Sequence, residues 1–326
     1  MLIAINYHYI RHSFGAPYEG IYGVTPAQLE SQLKMLGSVG EFVGPDQVRA
    51  AVRGDVRLPE KSILVTFDDG LKEQYENAWP ILRRLGIPAI FFVNTAPIMS
   101  GKVLLVHKIH LLRSNIAPEE FVQRLARHAA EHNINLDVRS ESDEALKHYS
   151  YDPPEVARLK YFLNFRLKPN ERDTLVELLF AEAFPGRERE ICEELYTTRS
   201  QIEELASFGF IGSHSHEHFP LGLLSDEQAE EQIMLAQTCL SEWAGYLPFA
   251  LSYPYGSRDA CPQRVGSIAA KLGIDFALTI EKAVNHDFAQ PFQLARFDCN
   301  DLPGGKAPLW QLNNLFEAAP SACWYS

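Results

Sequence analysis

Apolar positions along the chain follow two periodicities. Continuous apolar runs at Leu2–Tyr7, Ser62–Phe67 and 88–93 are short and rich in β-branched or aromatic residues, which predicts strands buried on both faces. Between the second and third runs, residues 73–85 have helical spacing and stop at Gly86, the residue type that best accepts a left-handed conformation after a helix. Strand, helix and strand in that order form a βαβ unit, and a parallel sheet follows. Thr25 and Pro26 open another helix as N-cap and first helical residue, with Leu29, Leu33 and Leu36 as its apolar stripe. Residues 225–243 form a capped helix in which Ser225 and Gln228 make the capping box, and 264–272 a helix ended by Gly273. Short strands are expected at 42–43, 210–212, 249–253, 276–279 and 293–297.

The pattern changes between about 98 and 200. Here the chain is charged, has helical spacing over 121–132, 154–167 and 170–184, and is punctuated by Pro153-Pro154 and Pro185-Gly186. We read 98–200 as a helical insertion within one domain spanning 1–326. Composition is that of a folded protein, with 46% hydrophobic and 22% charged residues. The net charge of −12 argues against nucleic acid as a partner, because neutralising phosphates takes a basic face. Five cysteines, odd in number and without CxxC spacing, read as scattered buried thiols in a reducing compartment rather than a zinc ribbon or disulfide frame. No apolar stretch is long enough for a membrane span, and the first residues lack the pattern of a secretion signal. The expected location is the cytoplasm, and oligomeric state is not legible.

Two runs carry candidate chemistry. Thr66-Phe67-Asp68-Asp69-Gly70 sets two carboxylates directly after an apolar strand, at the sheet edge where α/β active sites lie. Asp-Gly is also a common turn, so by itself the run is equally a loop that caps the next helix. Ser213-His214-Ser215-His216-Glu217-His218 puts three histidines within five residues after another apolar segment. His214 and His218 share a face if this segment is helical, and all three histidines share one if it is extended. Imidazoles so close to a paired-Asp strand end are more often a metal site than a surface feature.

Together these runs resemble the first two motifs of the polysaccharide deacetylases, the NodB-homology or carbohydrate esterase 4 group. Tyr253-Pro254-Tyr255-Gly256 is similar to the third. The resemblance covers 2–92 and about 198–298, and it implies a distorted (β/α)7-type, NodB-like barrel in the α/β class with the helical insertion outside the common core. It implies Asp68 as catalytic base and Asp69, His214 and His218 as ligands of a divalent metal, Zn2+ first, with Co2+, Ni2+ or Fe2+ compatible with the same donors. Tyr255 would offer its backbone N–H to the oxyanion. Tyr7, Tyr253, Pro254 and Gly256, in the same runs, are expected at the substrate surface.

Two departures stand out. The third motif's Arg, which orients the base, is Ser252 here, and Arg296 or Arg258 would have to replace it from another loop. Arg296 otherwise reads as a surface salt-bridge residue. The late Leu-x-x-His motif that supplies the general acid is missing, but His8 ends the first apolar strand. That placement resembles the circularly permuted branch of the family, which includes deacetylases of exported poly-N-acetylglucosamine. The implied activity is hydrolysis of an N-acetyl group on an amino sugar, in a cytoplasmic polysaccharide or glycoconjugate precursor. The rival readings are an amidohydrolase for another acyl group or a non-sugar C–N bond, and a non-catalytic carbohydrate-binding relative.

Overall fold

The computed structural model describes residues 1–18, 20–134, 146, 154–163 and 167–324. Its residues separate into two compact units. One comprises Met1–His12, Gly23–Lys102 and Glu193–Ser326, the other Ser13–Tyr22 and Val103–Cys192.

The first unit is built on parallel strands. In chain order these are β1 (Leu2–Tyr7), β2 (Tyr9–Ile10), β3 (Gly23–Val24), β4 (Glu41–Phe42), β5 (Ser62–Phe67), β6 (Ala89–Val93), β7 (Ile211–Ser213), β8 (Ala250–Ser252), β9 (Phe276–Leu278) and β10 (Phe297–Asp298). Seven of them pair in the order β10-β1-β5-β6-β7-β8-β9, every pairing parallel, and curl into a half-barrel surrounded by helices. β4 adds to β5, and β2 pairs with β3. The segment between β9 and β10 bridges the two ends of the sheet. Leu294 pairs with Leu278 of β9, and three residues later Phe297 pairs with Ile5 of β1. Arg296 therefore lies at the seam between the last and first strands.

Side-chain parity explains what each face does. Ile3, Ile5, Tyr7, Val65, Phe67, Phe91 and Val93 pack outward against the helices, including Leu29, Leu33 and Leu36 of Pro26–Leu36. The alternate residues Leu2, Ala4, Leu64, Ile90, Phe92, Ala250 and Leu278 meet one another across the sheet as an inner plug. Gly212 belongs to this inner face, where a Cβ would stand 2.5 Å from the Phe92 ring, so only glycine fits. Continuing the inner parity to the carboxyl edge gives Asn6, Thr66, Asp68, Asn94, His214 and Ser252. Apolar below and polar above, the inner face presents its chemistry at one end.

The helix signals work as local physics predicts. Thr25, Thr198 and Ser225 each accept from the backbone N–H three residues on, completed as capping boxes by Gln28, Gln201 and Gln228. Gly86 takes φ 67° after Trp79–Leu85. Two details differ from expectation. The expected helix over 73–85 starts as a π-helical turn, Gln74–Ala78. The expected strand over 293–297 is split, its first part a bridge at Leu294 and its last residue the start of β10.

The second unit is helical, with Leu105–Asn115, Pro118–Glu131, Pro154–Tyr161, Pro169–Ala183 and Glu188–Leu195. Residues 164–166 of the helix expected over 154–167, and Pro153, lie outside the described residues. The unit begins later and ends earlier than the 98–200 read from sequence, and it takes in the loop 13–22 as well. That loop is tied to it by Tyr18 N–H donating to Ser114 O at 3.2 Å. At Gly20 a Cβ would meet Ser114 N at 2.4 Å. Lys108 is buried in this unit and pairs with Glu177 at 2.5 Å and Glu188 at 2.7 Å, as a buried ammonium requires. Among the described residues, no helix is long and apolar enough to cross a membrane.

Candidate active site

Three strand ends build the site. β5 runs into Asp68 and Asp69, β7 into the histidine loop, and β8 into Tyr253–Gly256. The loops are held in unusual backbone conformations. Of five non-glycine residues with positive φ among the described ones, four belong to this site: Asp69 (78°), Ser215 (62°), His218 (63°) and Tyr255 (63°). Each such residue costs on the order of 1–3 kcal/mol and persists only where its surroundings dictate it. The left-handed Asp69 is what separates two adjacent carboxylates, letting Asp68 keep the inner parity of β5 while Asp69 turns toward the histidines.

The histidine segment is neither the helix nor the extended strand that sequence leaves open. It is an irregular loop with left-handed turns at Ser215 and His218. The residues just after β6 shape it. Asn94 Nδ2 donates to the His214 carbonyl, Ala96 N–H donates to the His216 carbonyl at 3.1 Å, and Thr95 Oγ1 lies 2.7 Å from His216 Nδ1. His216 is thereby drawn away to Thr95. His214 and His218 converge instead, their Nε2 atoms each 3.3 Å from Asp69 Oδ1.

Asp69, His214 and His218 are all buried, and their ligand-capable atoms lie within 4.8 Å of one another. We tested whether these donors fit a cation. With bonds of about 2.0–2.2 Å, two ligands of a tetrahedral ion stand roughly 3.3–3.6 Å apart, which is the spacing of Asp69 Oδ1 from each of the two imidazole nitrogens. His214 Nδ1 lies 2.7 Å from the Ser252 carbonyl, an acceptor, so Nδ1 carries a proton and Nε2 is the atom turned to Asp69. The local field has the right sign as well. Burial pushes the His214 pKa down, but Asp68 and Asp69 outweigh it and raise the pKa above the ordinary value. Carboxylates that attract a proton to this spot attract a metal cation by the same Coulombic term. The donor set fits.

Asp68 sits in a different environment. Arg296, only 1% exposed, forms a two-pronged ion pair with it, Nη1 to Oδ1 at 2.8 Å and Nη2 to Oδ2 at 2.7 Å. Ser252 Oγ and Asn6 Nδ2 each donate to Oδ2 at 3.1 Å. Arg296 is fixed in turn by Ser252 Oγ at 2.9 Å, Thr66 Oγ1 at 3.2 Å and the Thr279 carbonyl at 3.3 Å. Burial raises the Asp68 pKa, and the charges of Arg296, His214 and His8 more than reverse this, so Asp68 stays ionised below the usual carboxylate range. The guanidinium missing at position 252 thus arrives from the seam of the sheet. Ser252, small and hydroxylated, leaves room for it and bonds to it. Arg296 is not a surface residue, whereas Arg258 is exposed.

His8 follows β1, the strand paired with β5, and Asp68 N–H donates to the Tyr7 carbonyl at 3.0 Å. Tyr255 is 43% exposed, with its ring edge-on to His218 at a centroid distance of 5.0 Å. The residues expected at a substrate surface need correction. Tyr7 and Tyr253 are core residues: Tyr7 OH donates to Gln32 Oε1 at 2.6 Å and Tyr253 OH to the Phe292 carbonyl at 3.0 Å. Their parity is the outward one, so neither ring faces the site. Pro254 and Gly256 are also buried. Sequence reasoning missed Asn6, Asn94 and Gln74. The first two carry a readable signal, a polar residue at the inner parity where an apolar strand ends.

The polysaccharide deacetylase sequence profile matches residues 55–148 and 187–277. A putative polysaccharide deacetylase YxkH of Bacillus subtilis (strain 168) is 31% identical over 106 residues, 32% of this chain and 33% of that protein. A poly-β-1,6-N-acetyl-D-glucosamine N-deacetylase of Staphylococcus aureus (strain MSSA476) is 32% identical over 103 residues, 28% of this chain and 36% of that protein. The matched stretch thus spans about a third of each relative's length. The fold is similar to that of Streptococcus pyogenes deacetylase PplD in complex with acetate, with TM-score 0.56, 16% identity and 91% of each chain covered. It is also similar to IcaB from Ammonifex degensii, with TM-score 0.56, 20% identity, and 91% of this chain and 90% of that one covered. The two segments of the family match hold Asp68, Asp69, His214 and His218 and together span more than half of the chain, which belongs to the polysaccharide deacetylase family.

Proposed function

We propose that this protein is a metal-dependent hydrolase that removes an N-acetyl group from an amino sugar. The observation that carries the reading is the pair of neighbouring carboxylates with different partners: Asp69 within 3.3 Å of two imidazole nitrogens, and Asp68 clamped as an anion by Arg296. A divalent cation held by Asp69, His214 and His218, Zn2+ or its Co2+, Ni2+ and Fe2+ counterparts, would polarise the acyl carbonyl and make water more acidic. Asp68 acts as base. Its Oδ2 already accepts from three donors, whereas Oδ1 accepts from Arg296 alone, so Oδ1 is the oxygen with a lone pair for the water proton. The Tyr255 backbone N–H donates to the developing oxyanion. His8, protonated, gives its proton to the departing amine nitrogen as the C–N bond breaks, leaving acetate and the free amine. General acid and base each contribute typically about 10² to 10⁴-fold.

The family and the name of the Staphylococcus aureus relative support an amino-sugar substrate, with β-1,6-linked N-acetylglucosamine as the first to try. We propose a cytoplasmic precursor as the natural form, because five cysteines with no disulfide between them suit a reducing compartment. The test is acetate release from N-acetylglucosamine oligosaccharides by metal-reconstituted protein, beside nucleotide-linked and lipid-linked amino sugars and other N-acyl amides. Acetate release with bound metal supports the reading. Turnover only of a non-sugar amide moves the assignment to a general amidohydrolase, and sugar binding without acetate release makes the protein a binding relative.

A further inference from the structure

The helix after Asp68-Asp69-Gly70 begins irregularly, and the irregular turn has a task. Residues Gln74–Ala78 wind as a π-turn before Trp79–Leu85 continues as α-helix. Such turns re-aim side chains and recur near functional sites. Here the turn and its neighbour face the chain leaving β1. Gln74 is fully buried, and its Nε2 donates to two carbonyl oxygens, Asp68 at 2.5 Å and His8 at 3.0 Å. Both partners are acceptors, so the nitrogen end of the amide must be the one facing them. Asn77 Nδ2 donates to the Ile10 carbonyl at 2.7 Å, and Glu73 pairs with Arg11, with Nε to Oε2 at 2.9 Å.

The ladder between β1 and β5 ends just there. Its last bond is Asp68 N–H to the Tyr7 carbonyl at 3.0 Å. The next carbonyl of the chain, that of His8 just after β1, accepts from Gln74 instead. One buried amide therefore links the peptide of His8 to the peptide of Asp68, beyond the point where the strands hold each other. We propose that Gln74 is a positioning residue that fixes His8 relative to Asp68, with Asn77 supporting it through Ile10. This rests on the reading of His8 as general acid and Asp68 as base. An acid must reach the leaving nitrogen, and a misplacement of about 1 Å can cost about 10²-fold.

The test uses the metal-loaded protein on two acetyl donors. An N-acetylglucosamine oligosaccharide has an amine leaving group that must be protonated. An activated aryl acetate has a phenolate leaving group that needs no acid. Gln74→Met keeps the side-chain volume and removes the donor. We expect kcat on the amide to fall roughly 10- to 100-fold with KM within about 2-fold, and aryl acetate hydrolysis to stay within about 3-fold of wild type. Metal content should not change. Asn77→Ala should show the same amide-selective loss at roughly 3-fold, and it decides the matter if Gln74→Met does not fold. Wild-type turnover by these variants, or equal losses on amide and ester, would overturn the proposal. His8→Ala separates it from the underlying reading. If His8→Ala loses the amide selectively and Gln74→Met does not, positioning by Gln74 is wrong and the acid stands. If His8→Ala keeps the wild-type ratio of amide to ester turnover, His8 is not the acid.

Discussion

Asp68 and Asp69 are adjacent in the chain and equally buried, at 2% and 3% exposure, yet they face opposite kinds of neighbour. Asp68 is surrounded by donors: both guanidinium prongs of Arg296, the Ser252 hydroxyl and the Asn6 amide. Its negative charge is answered by a side chain of the protein. Asp69 is surrounded by imidazole nitrogens that are themselves ligands in their neutral form. Its charge is answered by a proton on histidine or by a metal, and these compete. One side of the site is complete in the polypeptide, and in the proposed enzyme the other would be completed by a cation from solution. What separates them is one left-handed residue, Asp69 at φ 78°, set between the strand end and a left-handed Gly70 at φ 62°.

The comparison breaks most visibly on the Asp69 side. Asp69→Ala, His214→Ala or His218→Ala should each abolish metal binding and lower acetate release by at least about 10³-fold together, as measured by metal analysis and kcat/KM. pH acts here with a definite sign. The His214 pKa is raised by Asp68 and Asp69 against the opposing effect of burial. Protons therefore displace metal as pH falls through that raised value, and metal affinity should weaken steadily on acidification in a titration by calorimetry. An affinity that is flat across the histidine range would show that His214 is not a ligand.

Breaking the Asp68 side should be less severe for activity and worse for the fold. Arg296→Met leaves a buried carboxylate without its cation, at a cost of about 3–5 kcal/mol in denaturant unfolding. Metal content should persist, while kcat falls about 10- to 100-fold because a base whose pKa has risen is protonated more of the time. The linkage weakens as well. In the wild type burial raises the Asp68 pKa but Arg296, His214 and His8 together lower it more, so its stabilising contribution is present at neutral pH and lost as pH falls through the depressed pKa. In Arg296→Met burial acts against a weaker opposition, the pKa rises, and this contribution shrinks. The acid limb of kcat/KM should move to higher pH accordingly. An unmoved limb would mean that Arg296 does not set the charge of Asp68.

Much of this site was legible in sequence, and the exceptions have physical reasons. β1 and β5 are read to the residue because a strand buried on both faces is a continuous apolar run with sharp polar ends. Capping boxes and Gly86 are read because they act over three or four residues. Arg296 could be named only as a candidate, since its partnership with Asp68 depends on a seam closed by residues 228 positions apart in the chain. The loop 13–22 falls within the stretch 2–92 that resembles the family's barrel, whereas the close approach of Gly20 to Ser114 ties it to the helical unit. The π-turn at Gln74–Ala78 has no periodicity signature of its own, because its five residues are fewer than the window over which a helical period can be read.

The smallest expected effect separates proximity in sequence from proximity in space. Tyr7 is the residue before His8, and motif reading alone puts it at the substrate. Strand parity puts it on the other face, where its ring stacks on Phe67 at a centroid distance of 5.4 Å and its hydroxyl donates to Gln32. Gln32 passes the contact on, donating to the Cys299 carbonyl at 2.8 Å and the Pro303 carbonyl at 3.1 Å. Tyr7→Phe keeps the ring and leaves Gln32 Oε1 buried without its donor, so it should cost about 1–3 kcal/mol of stability. Because this network lies beneath the helix Pro26–Leu36 rather than around Asp68, kcat and KM should remain within about 2-fold of wild type at a temperature where the variant is folded. A loss of kcat at unchanged stability would return Tyr7 to the site and show that the outward face of β1 is coupled to catalysis through His8.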